Sequence, residues 1–231
     1  MKPLFALSFL LLCASLYSQD CSEYFYLQNN KRIVMTTYNS KGEEVGKIIQ
    51  TVSDSAKNGN VVTATINFES VDTTGKTITR STRIVKCENG VMSFNMKDLI
   101  SAEQVARRGW NILNAPDVYI EYPGTMNIGD QLKDVLYKMD AKTPSGLVGK
   151  MKSTIEINIT DRKVERKETV TTPAGTWDCY SISAKFKMTD RIKLTGIGVP
   201  VKIDFTEWFA PGFGVVKTES KTGKTEITSI R

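Results

Sequence analysis

From Lys31 onward, apolar and polar side chains alternate with a period of two over long stretches of the chain, and short Gly- or Asn-bearing segments separate the runs. Val62, Ala64, Ile66 and Phe68 fall on one side of an extended strand, with Thr63, Thr65, Asn67 and Glu69 on the other. Met151, Ser153, Ile155, Ile157 and Ile159 oppose Lys152, Thr154, Glu156, Asn158 and Thr160. Tyr180, Ile182, Ala184, Phe186 and Met188 oppose Ser181, Ser183, Lys185 and Lys187, and Val201, Ile203, Phe205 and Phe209 oppose Lys202, Asp204 and Thr206. A strand sends successive side chains to opposite faces, so each of these segments has one dry side. The punctuation includes Asn58-Gly59 and Asn89-Gly90, a pair of residue types that tolerate positive φ and favour tight hairpins. The pattern predicts an all-β protein: a long antiparallel meander forming a curved half-barrel or open barrel whose concave side is either packed or filled by a ligand.

Two segments break the strand pattern. Ser101 supplies an N-cap with Gln104 three residues on, and Gly109 can end the segment, which predicts one short helix. In a curved sheet such a helix can cover the open face, with Val105, Trp110, Ile112 and Leu113 as its lid contacts. At the N-terminus, Lys2 precedes an apolar run from Leu4 to Leu16, and Ser18 then leads into Gln19-Asp20. This is the form of a secretory signal peptide over 1–18, leaving 19–231 as a single β domain. No later apolar run approaches the roughly 20 residues of a membrane-spanning helix, so no transmembrane segment is expected in the mature chain.

The composition narrows the chemistry. There is no histidine, which removes Ser-His-Asp and Cys-His nucleophiles and His-ligated metals. The acidic pairs Asp117 and Glu121, Asp130 and Asp134, and Glu165 and Glu168 lack any motif around them, so no catalytic constellation, metal site or cofactor is expected. The net charge of +6 is spread along the length and interleaved with acids, a pattern of solvated strand faces with no nucleic-acid partner. Three cysteines follow the leader. Cys21 opens the mature chain and Cys87 ends a strand before Glu88-Asn89-Gly90, so these two are expected to pair, while Cys179, between bulky neighbours, reads as buried and inert. Asn158-Ile159-Thr160 matches a glycosylation sequon but lies mid-strand. Asp54-Ser55-Ala56, read as part of a polar hairpin loop, resembles the acceptor of bacterial periplasmic O-glycosylation, making Ser55 a candidate glycan site.

The segment Arg162 to Tyr180, with Thr172-Pro173-Ala174-Gly175-Thr176-Trp177-Asp178-Cys179-Tyr180 at its centre, and the segment Glu207-Trp208-Phe209-Ala210-Pro211-Gly212-Phe213-Gly214-Val215-Val216-Lys217 together resemble the TapB-like family of exported bacterial proteins. Tyr122-Pro123-Gly124 and Gly129-Asp130-Gln131-Leu132 fit the same pattern, although Leu132-Lys133-Asp134 stands where the family usually shows Leu-Pro-Asp. The resemblance implies a relationship to a larger domain of unknown function and to the half-barrels of lipoprotein carriers, in which a curved sheet wraps an apolar cleft closed by a short helix. In this chain the motifs themselves read as turns: Pro173 and Gly175 join two pairing strands, and Pro211 to Gly214 reverses the chain again.

The expected function is therefore non-enzymatic. One reading is a binding or carrier module of the cell envelope for an apolar ligand such as a lipid, with Tyr180, Ile182, Phe186 and Met188 as apolar-face contacts. The alternative is a fully packed structural or assembly partner of another envelope protein. Both place the protein outside the cytoplasm, in the periplasm or at the surface of a bacterium with a two-membrane envelope.

Overall fold

The computed structural model describes residues 21–99, 105, 108–144 and 150–231. The leader over 1–18 and most of the expected helix over 101–109 lie outside the described residues. Among the described residues, thirteen antiparallel strands form one sheet: β1 (Arg32–Asn39), β2 (Glu44–Asn58), β3 (Val61–Val71), β4 (Thr77–Glu88), β5 (Val91–Asn95), β6 (Asn111–Asn114), β7 (Tyr119–Pro123), β8 (Val135–Pro144), β9 (Lys150–Thr172), β10 (Gly175–Ile192), β11 (Gly198–Ala210), β12 (Gly214–Ser220) and β13 (Gly223–Ile230). The sheet order is β6-β8-β9-β10-β11-β12-β13-β1-β2-β3-β4-β5-β7. It departs from a pure meander in two ways: the last strand pairs with the first, β13 with β1, so two ladders join through the chain ends, and consecutive strands β6 and β7 part to opposite edges, β6 beside β8 and β7 beside β5. Among the described residues the sheet is not closed, and β6 and β7 are its edges.

The alternation read from sequence sets the faces. Val62, Ala64 and Ile66 are buried while Asn67 is exposed, and Ser153, Ile155, Ile157 and Ile159 are buried on β9. On β10, Tyr180, Ile182 and Ala184 are buried, Phe186 and Met188 are half-buried, and Lys185 and Lys187 face solvent. Val201 is a correction. It is 54% exposed, because β10 and β11 run past the edge of the core and their hairpin carries Leu194, Ile197, Val199 and Val201 out of the packed region. Asn89 and Gly90 both have positive φ, as a two-residue hairpin turn requires.

Two bulges change which residues face inward. On β9 the dry side runs Ile155, Ile157, Ile159, and strict alternation would leave Arg162 outside. Instead the β9–β10 register slips between Ser183 and Lys185, Asp161 takes a left-handed conformation (φ 54°), and Arg162 and Val164 become the buried residues. A bulge re-aims side chains in this way without breaking the strand. The second bulge lies in β2 at Asp54 (φ 52°), where the β2–β3 register slips between Ser53 and Ala56.

The start of the described chain is part of the core. Two 3-10 turns, Cys21–Glu23 and Phe25–Leu27, bring Tyr24, Tyr26 and Leu27 under the sheet. Cys21 is disulfide-bonded to Cys87 with Cα atoms 5.6 Å apart. The backbone N–H of Phe25 donates to the Gly212 carbonyl at 3.1 Å, and Phe213 stacks on Phe25 with ring centres 5.0 Å apart. Trp177 joins this cluster, 5.4 Å from Phe213. The Pro211-Gly212-Phe213-Gly214 reversal is thus the dock for the N-terminal segment. Gly214 has φ 132°, and a Cβ there would come within 2.6 Å of the Tyr26 ring, so only glycine allows this approach.

Candidate functional site

The concave side of the sheet encloses a cavity of about 630 Å³, within the range of roughly 300–1,000 Å³ typical of small-molecule sites. Met35, Ile48, Phe94, Ile120, Ile159 and Val215 form most of its apolar wall, contributed by six strands, β1, β2, β5, β7, β9 and β12. Hydroxyls of Ser70, Thr79, Ser81, Thr218 and Thr225 also line it, and the larger polar side chains enter the wall as two groups. Tyr26, Gln50 and Arg83 form one, and Tyr122 with Glu207 the other.

The first group sits on β2 and β4 beneath the N-terminal turns. Arg83 shares the inward parity of β4 with Val85 and Cys87, while Ile84 points to solvent. Its guanidinium carbon lies 4.0 Å above the Phe68 ring centre, a cation–π arrangement in partly desolvated surroundings. Burial lowers the Arg83 pKa from its ordinary value; Asp98 and Tyr26 oppose that shift. Gln50 donates to the Met35 sulfur at 3.2 Å. Burial raises the Tyr26 pKa, against a hydrogen bond from Gln50 and the charge of Arg83.

The second group lies where the edge strand β7 meets β9. Arg162, 1% exposed, donates from Nη1 to the Lys133 carbonyl at 3.0 Å and from Nη2 to the Glu121 carbonyl at 3.1 Å. It therefore fastens the edge strand β7 and the segment leading to β8 against β9, across the mouth of the open sheet. The guanidinium also lies 4.9 Å from the Tyr122 ring centre. Tyr122 stacks on Phe209 at 5.2 Å and donates from its hydroxyl to Glu207 at 2.9 Å. Burial raises the Glu207 pKa; the Tyr122 hydrogen bond and the Arg162 charge pull it back. Burial, then the Glu207 charge, raises Tyr122 well above the usual phenol range.

The residues singled out from sequence sit elsewhere. Tyr180 and Ile182 are in the packed core, and neither they nor Met188 line the cavity. Phe186 lines a separate, shallower groove with Ile203, Phe205 and Tyr38. Trp110 is buried and Val105 and Ile112 pack on the core, but Leu113 is 48% exposed and none of the four borders the cavity. Tyr26, from the N-terminal turns, does line it. Ser55 is in strand β2, not in a loop, and its hydroxyl donates to the Leu27 carbonyl at 2.5 Å; the bulge at Asp54 turns it toward the N-terminal segment. Cys179 is buried and unpaired, its thiol pushed up to about 12 by burial and then by Asp178 and Glu168. The acidic residues weighed for catalysis have partners of other kinds: Asp117 binds Lys97 and Asn95, Glu165 binds Lys163 and Ser183, and Glu168 accepts from the Trp208 indole at 2.8 Å.

Arg83, Arg162 and Glu207 were not singled out by the sequence pattern. For Arg83 and Glu207 the signal was parity, since each lies in step with apolar neighbours of its own strand. Arg162 gave no such signal, because the bulge at Asp161 reverses the parity before it.

Among curated proteins none matches the chain. Two crystal structures share its fold. A candidate exported protein with a YmcC-like fold from Bacteroides fragilis NCTC 9343 superposes with a TM-score of 0.64 at 21% identity, covering 88% of this chain and 96% of that one. A candidate lipoprotein from Parabacteroides distasonis ATCC 8503 superposes with a TM-score of 0.67 at 18% identity, covering 90% and 98% respectively. The family described as DUF3108-like matches residues 28–231, every strand of the curved sheet included, and the chain belongs to that family.

Proposed function

We propose that this protein is an exported, non-enzymatic binding protein of the cell envelope that holds an apolar ligand on the concave side of its sheet. The cavity carries the reading: it is large, walled mainly by apolar side chains, and its charged groups are confined to Arg83 and Glu207. An interior evolved only for packing would be filled to crystal-like density. The leader-like N-terminus, the resemblance to TapB-like exported proteins and the descriptions of the two structural relatives support an envelope location. The Cys21–Cys87 disulfide supports an oxidising compartment.

A second reading has its own observation. Leu194, Ile197, Val199 and Val201 stand exposed on the β10–β11 hairpin, and exposed apolar groups of this kind favour contact with another envelope protein. Native mass spectrometry of protein purified from the envelope fraction of its own host separates the two. Co-purifying small amphiphile, released on unfolding, supports the binding protein; a stoichiometric protein partner with no small molecule supports the assembly role and refutes the first reading.

A further inference from the structure

We propose that the cavity takes a single-chain amphiphile with an anionic head, a long-chain carboxylate, with the head against Arg83 and the hydrocarbon along the apolar wall; this rests on the binding reading above. Three observations lead there. Arg83 lines the cavity, and among the described residues no carboxylate lies within ion-pair distance of it. Its Nε is buried without a hydrogen-bond partner. Buried polar groups are ordinarily satisfied, and a guanidinium offers a planar fork that matches a carboxylate bidentately. The Phe68 ring holds the guanidinium by one face, which leaves its donor edge to meet a ligand in the plane.

The other polar place fixes the direction. Glu207 carries the acidic group of the wall and already accepts from Tyr122, so it repels an anionic head and leaves Arg83 as its counterpart. Arg83 on β4 and Glu207 on β11 stand six strands apart in the sheet order, with Met35, Ile48, Phe94 and Val215 among the apolar residues of the same cavity. A carboxylate at Arg83 with a methyl-terminated chain running along the apolar residues matches both the cation and the apolar part of this wall. A neutral chain satisfies the apolar part alone, and a cationic head is opposed by Arg83.

The test is displacement of the neutral fluorophore N-phenyl-1-naphthylamine from the intact mature protein by palmitate, hexadecanol and hexadecylamine at pH 7. Palmitate should bind at least about tenfold more tightly than hexadecanol, as one charge-assisted pair in a desolvated site provides, and hexadecylamine should bind more weakly than hexadecanol. Arg83→Gln should bring palmitate to the level of hexadecanol. Equal binding of all three by wild-type protein, or a palmitate preference that survives Arg83→Gln, overturns the anionic-head assignment and leaves the apolar-ligand reading intact. Displacement by none of them overturns both. Should Arg83→Gln fail to fold, the wild-type ranking alone decides, since hexadecylamine binding as tightly as palmitate is incompatible with a cation at the head site.

Discussion

Replacing Arg162 by methionine tests how the open sheet is held in its curved form. Methionine fills much of the same volume but donates nothing, so the Lys133 and Glu121 carbonyls lose donors at 3.0 and 3.1 Å. Hydrogen bonds to a charged group contribute roughly 1.5–3 kcal/mol each, and a buried carbonyl left unpaired carries a cost of similar size. Against this, the buried guanidinium no longer has to be desolvated, its Nε being without a partner already, and replacing buried ions with apolar groups recovers part of such losses. The net expectation is about 3 kcal/mol of destabilisation, which for a domain of this length lowers Tm by roughly 6–12 °C. Arg162→Lys keeps the charge but cannot reach two carbonyls at once, and should fall between wild type and methionine. Circular-dichroism melts give the global number. Amide exchange gives the location: N–H groups of Tyr119–Pro123, the edge strand held by the clamp, should exchange faster in Arg162→Met than those of β3. A methionine variant melting within ~2 °C of wild type, or exchanging no faster along the edge strand, would show that the clamp contributes nothing.

Three further outcomes follow from the same geometry. Reducing the Cys21–Cys87 bond, or replacing both cysteines by alanine, frees a link closing 66 residues of sequence and should cost about 4 kcal/mol in the chain-entropy model; non-reducing peptide mapping that joins Cys179 to either residue would contradict the pairing. Burial raises the Glu207 pKa in the folded protein above its value of 4.5 in the open chain, so the folded state binds the proton more tightly and the stability associated with the neutral acid is lost as pH rises through the folded pKa. Glu207→Gln should accordingly gain on wild type between pH 4 and 7 in urea titrations, and a pH-independent gap refutes this. Phe186→Asp puts a charge on the half-buried face of β10 and should lower Tm strongly, while Lys187→Asp, on the exposed side, should stay within about 0.5 kcal/mol of wild type; equal tolerance of the two contradicts the face assignment.

Strand faces were legible in the sequence because a half-buried strand has only one register that hides its apolar set. Val62 to Ile66 and Ile155 to Ile159 obey that rule; on β10 Tyr180, Ile182 and Ala184 are hidden as expected, but Ser181 on the opposite face is buried too, at 1% exposed. Its failures are local and physical. At Val201 the alternation continues in sequence after the core has ended, and nothing in the residue types marks where packing stops. At Asp161 a single left-handed residue exchanges inside for outside, and Arg162, which looks like one of several charges in a solvated run, becomes one of the most buried side chains in the molecule. Glu207 stands between Phe205 and Phe209 in strict alternation, so its inward position follows from parity; that it meets Tyr122 depends on how far the sheet curls, which only non-local contacts decide. The cavity was likewise anticipated as a concave face, but its wall comes from strands distant in sequence, and the β10 residues nominated for it pack elsewhere.

The most direct test of the central claim, an interior built to hold an apolar ligand, is to fill that interior and measure binding. Val215→Trp adds an indole to the cavity wall from the half-buried face of β12. Fluorescence titration of N-phenyl-1-naphthylamine should show one saturable site per wild-type molecule, and little binding to Val215→Trp protein that retains a cooperative melt. Absence of binding to the wild-type protein, or equal binding to a folded Val215→Trp variant, would contradict the account.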